Sequence, residues 1–142
     1  ALVDYAHTPD AVEKVLATLR KISSAKIIAI LGCGGNRDKS KRPLMGKALL
    51  SGSDIAIFTS DNPRDEDPGE ILKEMQGFLA VNSPSAVIAD RHSAIKYGVE
   101  RAEAGDILVV LGKGHEVGQE IKGVKLPFSD QDVLQKCIEA EL

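Results

Sequence analysis

Four short runs of aliphatic and β-branched residues recur along the chain: Lys26–Leu31 (KIIAIL), Asp54–Thr59 (DIAIFT), Ala86–Asp90 (AVIAD) and Asp106–Leu111 (DILVVL). Runs that are apolar at consecutive positions suit parallel strands covered on both faces, and each pair is separated by a helical pattern. A shorter strand, Ala1–Ala6, precedes them. Thr8 and Pro9 then supply an N-cap and a first-turn proline, and Val12, Val15, Leu16 and Leu19 follow as one buried helix face. Asp67-Pro68-Gly69-Glu70 reads as a capping-box-like start to a helix with Ile71, Leu72, Met75 and Leu79 on its apolar stripe. The helix after Asp90 carries Ile95, Gly98, Val99 and Ala102, and Ser129 caps a last helix with Val133, Leu134, Cys137 and Ile138. Gln119–Lys125, around Gly123, reads as a hairpin or an antiparallel edge addition. The alternation predicts an α/β fold: one domain over residues 1–142 with a Rossmann-like open, mostly parallel sheet and helices on both faces.

Composition narrows what such a sheet can serve. With 18 basic and 21 acidic residues the formal charge is −3, and there are two Tyr, three Phe and no Trp. A net-acidic chain this poor in aromatic rings offers neither a duplex-binding face nor a stacking platform, so no nucleic-acid partner is expected. No apolar run approaches the ~20 residues of a membrane helix. Cys33 and Cys137 lie far apart without CxxC spacing, which fits reduced thiols, a cytoplasmic location and no structural metal site.

Ligands of open α/β sheets bind outside the carboxyl ends of the strands. Four polar segments fall there. Gly32–Gly46 (GCGGNRDKSKRPLMG) joins closely spaced glycines to Arg37, Lys39, Lys41 and Arg42, and reads as an anion-binding loop or a solvated flexible one. It has neither GxxxxGK[ST] nor GxGxxG spacing, so a P-loop is excluded and no catalytic phosphoryl-transfer residue is expected in this chain. Ser60–Pro68 (SDNPRDEDP) offers Asp61 and Asn62 as hydrogen-bonding groups, Pro63 as a rigid tip and Arg64 as a fork for a carboxylate, unless it only ends a strand as an Asx-Pro turn. Gly112–Glu116 (GKGHE) exposes glycine carbonyls and the acceptor Glu116, with His115 in an orienting or structural role. Asp4 to Asp10 (DYAHTPD) places Asp4 and His7 beside a helix N-terminus, where they could meet a ribose hydroxyl and a phosphate, although capping by Thr8 explains part of the pattern. His92 reads as topping a helix.

DYAHTPD, GCGGNRDKSKRPLMG, TSDNPRDEDP and GKGHE, in this order, resemble the C-terminal domain of the Mur ligases, specifically the MurE-type branch that adds diaminopimelate. The resemblance covers essentially the whole chain. It implies an ATP-dependent amide ligase of three domains: one for the UDP-sugar, a central one holding ATP and Mg2+, and this one, which brings the amino acid. The substrates it implies are meso-diaminopimelate here and the UDP-N-acetylmuramoyl dipeptide through the other domains. ATP would phosphorylate the D-glutamate side chain, and the diaminopimelate amine would attack the resulting acyl phosphate. Matched motif by motif, the amino-acid contacts fall on Arg37, Asp61, Asn62, Pro63, Arg64, Gly112 and Glu116, and partial ATP contacts on Asp4 and His7. The non-reacting end of diaminopimelate is a zwitterion, so Arg37 and Arg64 suit its carboxylate, while Asp61, Glu116 and the Gly112 carbonyl suit its ammonium. One departure stands in the last helix, where the family commonly has Asp-Arg and this chain has Asp130-Gln131.

Three other readings compete. A lysine-adding member of the family would have no use for Arg64, because lysine has no distal carboxylate. A stand-alone, non-catalytic module could bind an anionic amino acid or nucleotide. A folylpolyglutamate-synthase-like domain shares the architecture without DNPR followed by GKGHE.

Overall fold

The computed structural model describes residues Ala1–Leu142. Five strands, β1 (Leu2–Asp4), β2 (Ile27–Cys33), β3 (Ile55–Ser60), β4 (Ala86–Val87) and β5 (Ile107–Leu111), form one sheet in the order β1-β5-β2-β3-β4. All four pairings are parallel. Alternation along the strands splits the core in two. Ile27, Ala29 and Leu31 of β2 pack under α1 (Pro9–Ile22), α2 (Arg42–Gly52) and α3 (Pro68–Gln76), whereas Ile28 and Ile30 pack under α4 (Arg91–Arg101) and α5 (Asp130–Glu141). The expected three-layer α/β architecture is therefore the one observed, and no helix is long and apolar enough to cross a membrane.

Helix starts follow the local chemistry. The Thr8, Asp90 and Ser129 side chains each accept a backbone N–H from the first turn of the helix they precede. Asp67 sits at the N-cap of α3 without a side-chain cap bond, so the capping-box reading of that start is corrected to a Pro68-led first turn. The strands at the sheet's edges are shorter than their sequence runs. AVIAD forms only Ala86–Val87, because β4 pairs with β3 alone and Asp90 is taken by the cap of α4. Gly118–Ile121 (β6) and Val124–Pro127 (β7) form a separate antiparallel hairpin rather than an addition to the main sheet.

The chain runs outward from β2 through β3 to β4 with α2 and α3 on one face, then returns under α4 on the other to place β5 between β1 and β2. The reversal brings the carboxyl ends of β1, β2, β3 and β5 together, which is the crevice where such sheets take ligands.

Candidate functional site

At those strand ends lies a cleft of about 420 Å³, lined among others by His7, Gly34, Arg37, Asp61, Asn62, Arg64, Gly112 and Glu116. All four sequence segments meet here. Pro63 is buried behind the wall, and Asp4 stands at the end of β1 with its Oδ2 accepting from the Ala6 N–H at 2.8 Å. The exposed His7 ring contacts the Tyr5 carbonyl through Nδ1 at 2.9 Å and lies edge-on to the Tyr5 ring.

The Gly32–Gly46 segment is not one loop. Gly32 and Cys33 complete β2, a 3₁₀ turn spans Lys39–Lys41, and Arg42 opens α2. Gly35 donates its N–H to the Asn62 carbonyl at 2.7 Å, and a Cβ there would sit 1.8 Å from the Pro63 carbonyl oxygen. Only glycine lets the two loops touch. The Cys33 thiol, buried at the cleft floor, is pushed up to about 12, chiefly by burial, and is no nucleophile there.

The basic cluster of this segment divides once the acids are placed. Arg42 is 2% exposed and bonded to Glu66 at 2.8 and 3.0 Å, to Glu74 at 2.7 Å and to the Gly34 carbonyl at 3.0 Å. Lys39 also faces Glu66, at 3.6 Å. Arg42 thus belongs to the scaffold of the glycine-rich turn and is corrected from the anion-binding group. Arg37 is exposed, with one internal bond, to the Asn36 carbonyl at 3.1 Å, and it remains available to a ligand.

Arg42, together with the Asn36 N–H, holds the Glu66 carboxyl down at about 2 against an ordinary 4.5. A lowered folded-state value contributes stability that is fully present above the unfolded value and is lost as pH falls through the folded one. Stability is therefore expected to decline between about pH 4.5 and 2. Denaturant midpoints at several pH values should show a shallower decline in Glu66→Gln. Identical slopes in the two proteins would contradict this assignment.

Arg64 is held from three sides. Its backbone has φ +54°, its Nη1 donates to the Gly35 carbonyl at 2.9 Å, and its Nε lies 3.4 Å from Glu120 Oε2. Main-chain bonds join Arg64 N–H to the Glu120 carbonyl at 2.9 Å and Lys122 N–H to the Arg64 carbonyl at 2.8 Å. The β6–β7 hairpin thereby clamps the DNPR turn, and Gln119 Nε2 adds a bond to the Asp61 carbonyl at 2.7 Å. Nη2 of Arg64 has no hydrogen bond within the chain and is free for an anion.

Two residues of the site escaped sequence reasoning. Lys113 is fully buried, donates to Asn62 Oδ1 at 3.0 Å, and stands 3.6 Å from Asp61 and 3.9 Å from Glu116. Glu120 N–H shares the same Asn62 oxygen at 3.0 Å. Lys113 lay in view inside GKGHE, but its hydrogen-bond partner Asn62 is 51 residues upstream. The cleft carries both signs: Arg37, Lys41, Arg42 and Arg64 line it with Asp38, Asp61 and Glu116, while Lys113 and Glu120 meet on Asn62. Such a site suits a ligand end that carries one charge of each sign better than a simple anion.

The family model described as Mur ligase, glutamate ligase domain, matches residues 1–114. The UDP-N-acetylmuramoyl-L-alanyl-D-glutamate--2,6-diaminopimelate ligase of Aquifex aeolicus (strain VF5) is 53% identical over 137 residues, covering 96% of this chain and 28% of its own length. The protein of the same name from Geobacillus thermodenitrificans (strain NG80-2) is 44% identical over 138 residues, again 96% of this chain and 28% of that one. A solved structure titled as a UDP-N-acetylmuramoyl-L-alanyl-D-glutamate--2,6-diaminopimelate ligase superposes with a TM-score of 0.92 at 48% identity, over 98% of this chain and 29% of that one. A murein peptide ligase from Psychrobacter arcticus shares the fold, with a TM-score of 0.61 at 16% identity, over 98% of this chain and 27% of that one. The chain spans little more than a quarter of the length of these proteins.

Proposed function

The chain belongs to the Mur ligase family, and from that premise we propose that it is the C-terminal, amino-acid-binding domain of a larger ATP-dependent ligase. That ligase adds meso-diaminopimelate to UDP-N-acetylmuramoyl-L-alanyl-D-glutamate in peptidoglycan synthesis, in the cytoplasm. The observation that carries the reading is the gathering of Arg37 and Arg64 with Asp61 and Glu116 around one cleft. A zwitterionic amino-acid end needs both signs at this range, and lysine would leave the Arg64 fork without a carboxylate.

The reacting amine must reach an activated carboxyl carbon, and this domain's contribution is position. Arg64 and Arg37 hold the distal carboxylate. Asp61, Glu116 and the Gly112 carbonyl hold the distal ammonium, and Asn62, tied to Lys113 and the β6–β7 hairpin, fixes the turn that presents them. Holding the far end in a rigid pocket turns the encounter of amine and carboxyl into a local event. His7 on the rim and Asp4 beside it are assigned to the edge of the nucleotide, which supplies the phosphoryl group that makes the carboxyl electrophilic.

This chain has no GxxxxGK[ST] loop to cradle a triphosphate, so Asp4 and His7 would meet only the edge of a nucleotide held by the rest of the ligase. The glycine-rich turn directs Arg42 into Glu66 and Glu74 rather than toward a phosphate. Phosphoryl transfer is assigned to the rest of the ligase. The isolated chain is accordingly expected to show no magnesium-dependent ATP hydrolysis, and turnover by rigorously purified chain would contradict the assignment. The full-length ligase should prefer meso-diaminopimelate to L-lysine by at least roughly 30-fold in kcat/KM, from the ~2 kcal/mol lower bound for a buried charge pair. Equal use of the two amino acids would overturn the proposed specificity.

A further inference from the structure

The ladder between β2 and β5 ends at Ile30↔Val110, while β2 and β3 stay paired to Cys33↔Ser60. The tip of β5 therefore leaves its inner neighbour just before Gly112, whereas the tip of β3 runs on to Asp61. What spans the gap is Arg91, the first residue of α4. Its Nη1 donates to the Ser60 carbonyl at 2.9 Å and its Nη2 to the Leu111 carbonyl at 3.1 Å. Nε and Nη2 then bind Asp130 Oδ1 and Oδ2, both at 2.7 Å. Both side chains of this pair are fully buried, with 0% exposure.

Each gripped carbonyl belongs to the residue just before a site residue, Asp61 on one side and Gly112 on the other. The spacing between them is tight, since a Cβ on Gly112 would lie 3.0 Å from Asp61 Oδ2. Asp130 takes its cation from α4, and the exposed Gln131 beside it is not needed for that pairing.

We propose that Arg91 and Asp130 are positioning residues for the amino-acid site: the bidentate pair fixes the gap between the DNPR turn and the GKGHE turn, and so the fit of the amino acid. This rests on the ligase reading above. A lysine at position 91 keeps the charge but cannot bond two carbonyls and both carboxylate oxygens in one plane. Asp130→Asn leaves the two carbonyl bonds in place but removes the carboxylate charge and replaces one of the two acceptors of the pair with an NH2 donor.

The test is steady-state kinetics of the full-length ligase as wild type, Arg91→Lys and Asp130→Asn, on protein shown by melting curves to be folded at the assay temperature. Arg91→Lys should raise KM for meso-diaminopimelate roughly 10- to 100-fold, the scale of an ångström-sized misplacement, with KM for ATP and for the UDP-sugar dipeptide unchanged. Asp130→Asn should shift the same constant in the same direction by a smaller factor, and it keeps the test decisive if Arg91→Lys fails to fold. A lowered melting temperature with unchanged KM for the amino acid would make the pair purely structural and overturn the proposal. Should the wild type prefer another amino acid, the diaminopimelate reading falls, and the positioning role is judged on the KM for the amino acid that it does use.

Discussion

In the full-length ligase, Arg64→Ala is expected to lower kcat/KM for meso-diaminopimelate by roughly 30- to 5000-fold while leaving lysine nearly unaffected. The range follows from about 2–5 kcal/mol for truncating one partner of a desolvated, charge-assisted pair, at ~1.4 kcal/mol per tenfold. The geometry favours a substantial effect, because the side chain is only 18% exposed and is anchored by Gly35 and Glu120 before any ligand arrives. Little ordering cost is left to the ligand. Arg64→Lys should recover only part of the loss, since one ammonium cannot serve the Gly35 carbonyl, Glu120 and a ligand carboxylate together. The check is kcat/KM for both amino acids in the three proteins, with ATP and the UDP-sugar dipeptide saturating. Equal loss for the two amino acids would make Arg64 a general structural residue.

Arg42→Ala should be among the most destabilising single changes. It strips Glu66 and Glu74 of their buried cation and leaves the Gly34 carbonyl without its donor. Breaking a buried ion pair costs about 3–5 kcal/mol, and the partial exposure of the two carboxylates, 21% and 38%, places this case near 3 kcal/mol. Urea unfolding followed by circular dichroism measures it. A loss below about 1 kcal/mol, the level of surface pairs, would show that Arg42 does not hold the glycine-rich turn.

What the sequence discloses and what it hides divide along sequence separation. The β-branched runs, the Thr8 and Ser129 caps and the Gly- and Pro-marked turns act within a few residues, and they are legible as written. The clustering of the four segments also follows from reading, because strands in a parallel sheet deliver their following loops to one edge. Arg42 misleads because its neutralising acids lie 24 and 32 residues further on, and a run of cations looks free until they are found. Lys113, Glu120 and Arg91 are silent for the same reason. Asn62, just after β3, is the partner of both Lys113 and Glu120, and α5 brings Asp130 to Arg91; no local pattern marks a lysine or arginine that is destined for burial. The edge strands are overestimated because propensity does not know that a strand has a neighbour on only one side.

The central claim is that this cleft holds the zwitterionic end of meso-diaminopimelate, and a crystal structure of the full-length ligase with that amino acid tests it most directly. The account requires the distal carboxylate within hydrogen-bonding distance of Arg64 Nη2 and of Arg37, with the distal ammonium on Asp61, Glu116 and the Gly112 carbonyl. Density for the amino acid elsewhere, or in this cleft with its carboxylate turned away from Arg64, would contradict it.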